Sequence, residues 1–174
     1  MSKANVLNTY DNSPKVKQIA DSLQIPEQKI HLHGLVGSSL SLVIQSVFKK
    51  VERPLLLLLN DKEEAAYYLN DLEQFIGEQD VLFYPGSYRR PYQIEDTDNA
   101  NVLLRAEVLN RINSRKKPAV IVSYPEALFE KVVTKKELEK NTLKVAVGDK
   151  ISIEFINEVL FEYEFKRVDL ITEP

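Results

Sequence analysis

The chain has 174 residues, of which 44% are apolar and 28% are charged, the balance of an ordinary soluble globular protein. It contains no cysteine and only two histidines, which excludes a disulfide framework, a thiol nucleophile and a cysteine-based zinc site. The net charge of −3 argues against a protein that coats nucleic acid. The longest apolar run, 55–59, is far too short to cross a membrane, and the N-terminus lacks an apolar signal core, so we expect a cytoplasmic monomer.

The first part of the chain alternates between helical and strand patterns. Ser13-Pro14 opens the first helix, because serine is a good N-cap and proline fits the first helical position. The predicted elements are helix 13–25, strand 29–33, turn 34–37, helix 38–50, strand 54–59, helix 60–77, strand 81–84, loop 85–97, helix 98–113, strand 118–123, and helices 125–131 and 135–139.

Five consecutive leucines, 55–59, leave the second predicted strand without a polar face. Such a strand is typical of a parallel sheet, in which both faces are buried. The strand runs into Asn60-Asp61, and an acid in that place can bind magnesium in other proteins. Asn60 and Glu63, however, have the spacing of a helix cap, and we therefore predict no metal there.

The pattern changes near residue 141. Leu143, Val145 and Val147 alternate with more polar residues, which predicts a strand with one solvated face. A turn at Gly148-Asp149, a helix over 153–165 and a strand over 166–172 follow. This strand–helix–strand unit is too small to hold its own core, and the chain stops just after it, so we expect an incomplete piece.

We therefore predict an α/β fold in two parts. Residues 1–140 form a parallel sheet flanked by helices, and residues 141–174 begin a small α+β subdomain.

The turn after the first predicted strand lies where a phosphate loop belongs. Gly34 and Ser41 match the first glycine and the hydroxyl of the pattern Gly-x4-Gly-Lys-Ser/Thr. Ser39 replaces the second glycine, and Leu40 replaces the lysine that neutralises phosphate charge. We predict a degenerate loop that does not bind ATP, formed by Gly34, Gly37, Ser38, Ser39, Leu40 and Ser41, although the amides at the helix start leave weak anion binding open.

Two further groups of side chains could carry function. His31 and His33 alternate along one predicted strand, but no third ligand is near in sequence, and we predict no metal site. The loop after the third strand combines aromatic rings with arginines, which can stack on bases, grip phosphates or form a protein-binding hot spot. Alternatively, its tyrosines pack on the sheet edge and its arginines pair with Glu95 or Asp96. The residues concerned are Tyr84, Tyr88, Arg89, Arg90 and Tyr92.

Taken together, these motifs resemble the N-terminal region of bacterial transcription-repair coupling factors (Mfd), the part that is similar to the damage-verifying repair subunit UvrB. The resemblance extends from about residue 30 to residue 174. It rests on the order and spacing of HGLVGS (33–38), PLLLLLND (54–61), FYPG (83–86) with Pro91-Tyr92, RAEVLNRI (105–112), VIVS (120–123) with Ala127-Leu128, VGD (147–149), and the stretch from Tyr163 through Asp169 to Glu173-Pro174.

The resemblance implies a helicase-like first lobe that has lost its phosphate loop, and no catalytic residue in this chain. It implies that the subdomain begun at 141 belongs to a unit that recruits the damage sensor UvrA, whose contacts lie largely beyond residue 174. It further implies a longer parent that binds stalled RNA polymerase and DNA, packs this module against downstream domains, and uses ATP and Mg²⁺ only in a separate DNA translocase motor.

The resemblance also marks a difference from UvrB, which has a DNA-gripping hairpin after this third strand. Residues 84–96 are too few for that hairpin. Two alternatives to a non-catalytic module remain: a nucleotide-binding α/β enzyme, which Leu40 argues against, and a DNA-binding helicase lobe.

Overall fold

A computed structural model of the chain describes residues 2–88, 98–115, 117–132, 134–140, 142–143, 145–162 and 165. The chain divides into two compact units, Met1–Val132 and Val133–Pro174. The domain boundary expected at residue 140 stays a prediction.

The first unit contains helices and a sheet. Its helices are α1 (Lys3–Asp11), α2 (Pro14–Ser22), α3 (Ser39–Val51), α4 (Lys62–Ile76), α5 (Asn99–Ser114) and α6 (Pro125–Phe129), with a 3-10 turn at Glu78–Asp80. Its strands are β1 (Leu55–Leu58), β2 (Val81–Tyr84) and β3 (Val120–Ser123). The described part of the second unit contains helices α7 (Lys135–Lys140) and α8 (Ile153–Glu162).

The three strands described in the first unit form one parallel sheet in the order β1-β3-β2. Val120 lies opposite both Leu55 and Val81, which sets the register. All four residues of β3 are buried, because this strand is central and has helices against it. The predicted α/β class, a parallel sheet flanked by helices, is therefore confirmed.

Two apolar clusters hold the helices in place. The larger cluster joins the sheet to α4 and α5 through Ala65, Leu72 and Val108. The smaller one packs Val16 and Ala20 of α2 against α3. α1 contributes no buried residue; Tyr10 packs against the smaller cluster, and Asp11 accepts hydrogen bonds from Ser46 and Lys49 of α3. Because so few of its residues are in the core, the sequence of α1 lacks the apolar stripe that would predict a helix.

The expectation that the leucine strand is buried on both faces is wrong. Leu55 and Leu57 pack into the core, but Leu56 is 58% exposed and Leu58 is 50% exposed. The physical reason is position: β1 is an edge strand, and the described helices cover one of its faces.

Two predicted strands are also wrong within the described residues. Residues 29–33 are exposed and pair with no strand, and residues 142–143 and 145–149 likewise carry no strand. In each case the period-two pattern is present, but no strand among the described residues lies alongside to supply the ladder of hydrogen bonds that a strand requires. The strand predicted over 166–172 lies outside the described residues.

Helix boundaries follow local chemistry, with small shifts from prediction. The N-cap of α4 is Asp61 rather than Asn60: its carboxylate accepts a hydrogen bond from the Glu64 amide at 2.8 Å. Glu64 in turn accepts hydrogen bonds from the backbone and the side chain of Asn60, the residue before the N-cap, so Glu64 takes the place expected for Glu63. At their C-caps, α3 and α5 carry Glu52 (φ 46°) and Arg115 (φ 49°) in the left-handed conformation.

Candidate functional site

The degenerate phosphate loop lies directly before α3. Gly34 and Gly37 have φ values of +77° and +55°, a conformation that side chains other than glycine rarely adopt. Ser38 is the N-cap of α3, yet its side chain caps no amide and instead lies 3.3 Å from the Tyr67 hydroxyl. The loop therefore has the glycine geometry of a turn into a helix, with few contacts that fix it.

The three residues that follow face the protein rather than an open ligand site. The Ser39 hydroxyl is buried without a hydrogen-bond partner among the described residues. Leu40 is half-buried and brings no charge to the position of the missing lysine. Ser41 is fully buried, and its hydroxyl donates to Asp71 on α4 at 3.2 Å. The hydroxyl that would bind a metal in an intact phosphate loop is thus used between two helices. That the loop does not bind ATP stays a prediction.

The loop after β2 is held much more firmly. The Gly86 amide donates to the Tyr124 hydroxyl at 2.8 Å. The Ser87 amide and hydroxyl both donate to the Glu130 carboxylate, at 2.9 and 2.6 Å. A Cβ at Gly86 would lie 2.9 Å from a Glu130 oxygen, so a larger residue there would displace the carboxylate from its present position. Residues from β2, β3 and the end of α6 therefore meet at the carboxyl ends of two strands.

Arg105 of α5 joins these groups together. Its side chain is nearly fully buried, and its Nη1 donates to the Pro85 and Ala127 carbonyls at 2.7 and 3.0 Å. The same nitrogen lies 3.5 Å from Glu130, and the guanidinium lies over the Tyr84 ring at 4.2 Å. A buried charge with this many partners fixes the path of the chain as it leaves β2.

Burial also raises the pKa of both tyrosines in this network. It raises the pKa of the Tyr84 hydroxyl, an effect that the nearby Arg105 charge partly opposes. Burial likewise raises the pKa of Tyr124, although the hydrogen bond from the Gly86 amide acts in the opposite direction. Both hydroxyls therefore stay protonated at neutral pH.

Sequence reasoning missed this network. In the sequence, Arg105 belongs only to a motif of the resembling family, and no pattern distinguishes Ser87, Tyr124 or Glu130. One signal was present: Arg105 shares helical spacing with Val108, Leu109 and Ile112, so it lies on the face that packs against the sheet. An arginine on such a face requires buried partners.

The aromatic and basic patch lies next to this network in the sequence. Tyr84 is buried under Arg105, and Tyr88 is half-buried. Arg89, Arg90 and Tyr92 lie outside the described residues, so the patch as a contact surface stays a prediction.

The two histidines lie close together although they are not in a strand. The ring centroids of His31 and His33 are 4.0 Å apart, with the rings tilted by 47°. Across the part of the chain that the structure describes, no group of three or more His, Asp or Glu side chains is arranged to hold a metal ion. In that same part, none of the helices has the length and apolar character needed to cross a bilayer.

Fold and loops together define a parallel α/β lobe with a phosphate-loop position that lacks its lysine. No protein-family model matches the chain. Over 171 residues it is 23% identical to the transcription-repair-coupling factor of Bacillus subtilis (strain 168), a match that covers 98% of this chain and 14% of that protein. Over 178 residues it is 22% identical to the UvrABC system protein B of Borreliella burgdorferi (strain ZS7), a match that covers 95% of this chain and 26% of that protein.

A shorter match with higher identity is to the UvrABC system protein B of Microcystis aeruginosa, 34% identical over 87 residues, which cover 50% of this chain and 13% of that protein. The chain thus spans about a quarter or less of the length of these relatives. The predicted resemblance to a UvrB-like region of the transcription-repair coupling factor is confirmed, and the similarity supports a repair-related module.

Proposed function

We propose that this chain is a non-catalytic module of a transcription-repair coupling factor, which helps to recruit UvrA to stalled RNA polymerase. The observation that supports this most strongly is similarity over nearly the whole chain to both a transcription-repair-coupling factor and UvrABC system proteins B. In the longer protein, this module also packs against downstream domains and restrains the ATP-driven DNA translocase.

A binding role rather than an enzymatic one fits the loop before α3. A lysine is needed to neutralise the charge of the terminal phosphates, and Leu40 cannot do so. Ser41, the candidate for binding a metal, instead donates its hydroxyl to Asp71. We therefore propose that the chain itself uses no cofactor, and that ATP and Mg²⁺ act at a motor elsewhere in the longer protein.

Calorimetry with ATP tests this absence of nucleotide chemistry. We expect no micromolar binding of ATP in the presence of Mg²⁺ and no ATP hydrolysis above the buffer rate. An intact phosphate-loop protein serves as the positive control under identical conditions. Micromolar, magnesium-dependent ATP binding would contradict the proposal and favour a nucleotide-binding α/β enzyme.

A chimera tests the recruiting role. In it, this chain replaces the matching 171-residue segment of the Bacillus subtilis coupling factor. We expect the chimera to bind purified UvrA within a few-fold of the unaltered factor, as measured by surface plasmon resonance. A folded chimera that retains ATP hydrolysis but no longer binds UvrA would show that this chain does not serve the same role.

A DNA-binding lobe is the second candidate, and one observation favours it: Glu130 and Tyr124 anchor Gly86 and Ser87, just before Arg89 and Arg90 of the aromatic and basic patch. We expect Arg89→Ala/Arg90→Ala to weaken binding to duplex DNA or to a protein partner severalfold. The matched control, Lys17→Ala/Lys62→Ala, removes two exposed charges elsewhere. Equal affinities for DNA and partner in both double variants would remove the loop from either role.

A further inference from the structure

A groove of about 630 Å³ lies between α2, α3 and the segment 30–35 that precedes the degenerate loop. We call it the α2 groove. Its walls are largely aliphatic and come from all three elements. The apolar lining residues are Val16, Ile19, Ile30, Leu32, Leu35 and Val43. This size is that of a typical binding cleft, large enough for a few residues of an extended peptide.

One wall of the α2 groove has backbone groups that are exposed and paired with no other described residue. Residues 28–35 belong to no helix or strand, and their amides and carbonyls make no hydrogen bond with any described residue. The close approach of the His31 and His33 rings shows that alternate side chains project to the same side, as they do in a strand. Exposed backbone groups in this arrangement are what a peptide pairs with when it adds a strand.

A lysine and two histidines line the α2 groove beside the neutral polar side chains of Tyr10, Gln18 and Ser22. Lys15, His31 and His33 line it, and the lining contains no Asp or Glu. Lys15 makes no ion pair or hydrogen bond with a described residue, and the two imidazole rings lie against each other. The hydroxyl of Ser13, at the start of α2, also lines the groove and caps no amide. These hydrogen-bond donors have no acceptor among the described residues, and they therefore complement a negatively charged ligand.

We propose that the α2 groove binds an extended peptide segment in which acidic and apolar residues alternate. Residues 29–33 pair with the peptide backbone, the aliphatic walls receive its apolar side chains, and Lys15 with the two histidines receives its carboxylates. The α2 groove is a different surface from the aromatic and basic patch, and its proposed peptide partner is independent of the proposed recruitment of UvrA. The bound peptide would be the neighbouring strand that residues 29–33 lack among the described residues.

A fluorescently labelled hexapeptide, acetyl-Glu-Val-Glu-Leu-Glu-Val-amide, is the probe, and anisotropy with the full 174-residue chain is the readout. We expect saturable binding of this peptide and at least tenfold weaker binding of the counterpart with Lys in place of Glu. A version with N-methylated backbone amides should also bind at least tenfold more weakly, because it cannot pair as a strand.

Two variants on the same helix locate the site. Lys15→Glu should weaken binding of the acidic peptide about five- to tenfold, whereas Lys17→Glu, an exposed lysine outside the α2 groove, should leave it within about twofold. Far-UV circular dichroism verifies that both variants are folded. Equal binding of the acidic and basic peptides, equal effects of the two variants, displacement by inorganic phosphate at millimolar concentration, or no binding at all would each overturn the proposal.

Discussion

Two connections that lead into helices differ sharply in how they are held. The segment before α3 has two glycines with positive φ and a backbone without hydrogen bonds over 28–35, and the side-chain hydrogen bond described for it joins Ser38 to Tyr67. The segment after β2 has every polar group of Gly86 and Ser87 bonded to residues far away in the chain.

The difference lies in distant partners rather than in local sequence. Both segments contain glycine and serine, and both follow a predicted strand. Only the second has a buried arginine and a carboxylate delivered to it by α5 and by the end of α6. A turn motif thus determines the backbone conformation, whereas tertiary contacts decide whether the turn is fixed in place.

The largest expected change in stability comes from removing the charge of Arg105, which holds the segment after β2 in place. Arg105→Met leaves Glu130 without its cationic partner and two buried carbonyls without a donor. We expect the free energy of unfolding to fall by about 3–5 kcal/mol, measured by urea denaturation. Arg115→Met, in an exposed residue with no described ion pair, should change it by less than about 0.5 kcal/mol. Similar losses in the two variants would contradict a special role for Arg105.

A matched pair of tyrosines compares the two connections directly. Tyr124→Phe leaves the Gly86 amide without its acceptor and should cost about 1–2 kcal/mol of unfolding free energy. Tyr67→Phe removes only an exposed contact with Ser38, which water can replace, and should cost less than about 0.5 kcal/mol.

Amide hydrogen exchange gives this second comparison a local readout. The Gly86 amide should exchange faster in Tyr124→Phe than in the unaltered chain, while the amides of 34–38 should be unchanged in Tyr67→Phe. Equal stability losses, or unchanged exchange at Gly86, would show that the two connections do not differ as their contacts suggest.

The smallest expected effect is on the pH dependence of stability, and it arises from the contacts of Asp11 with α3. Burial of Asp11 disfavours its charge, but hydrogen bonds from Ser46 and Lys49 prevail and hold its pKa below the ordinary value of 3.8. A depressed pKa in the folded state means that Asp11 contributes stability above that ordinary value and loses it as the pH falls through the folded one.

We therefore expect the stability difference between the unaltered chain and Asp11→Asn to shrink as the pH falls below about 4. Its size at neutral pH should be at most about 1 kcal/mol, since the pair with Lys49 is partly exposed. Asp21→Asn, in a side chain with no described hydrogen bond or ion pair, is the control. The same pH profile for both variants would show that the contacts of Asp11 contribute nothing.

Local patterns predicted most of the helices and all three strands of the sheet. The leucines of β1 and the apolar run of β3 were sufficient for this, because strands of a parallel sheet are apolar. The same patterns misassigned 29–33, because a strand exists only when a neighbour pairs with it. They also missed α1, whose contacts through Asp11 are polar and therefore leave no apolar stripe.

The candidate site was only partly predictable for a related reason. Gly34 and Leu40 could be compared with a known spacing, so the loss of the phosphate-binding lysine was visible in the sequence. The bonds from Arg105, Tyr124 and Glu130 to the loop after β2 join residues some 20 to 43 positions apart. No local pattern encodes contacts at such separations.

The left-handed residues that end α3 and α5 have a practical consequence. Glu52 and Arg115 occupy a backbone conformation that costs about 1 kcal/mol or more for a residue with a side chain, and that glycine adopts freely. Each stands shortly before a strand of the sheet, and both are exposed. They are therefore natural positions for engineering a more heat-resistant form of the chain, because glycine there relieves strain without altering the core, the α2 groove's charged side chains or the network around Arg105.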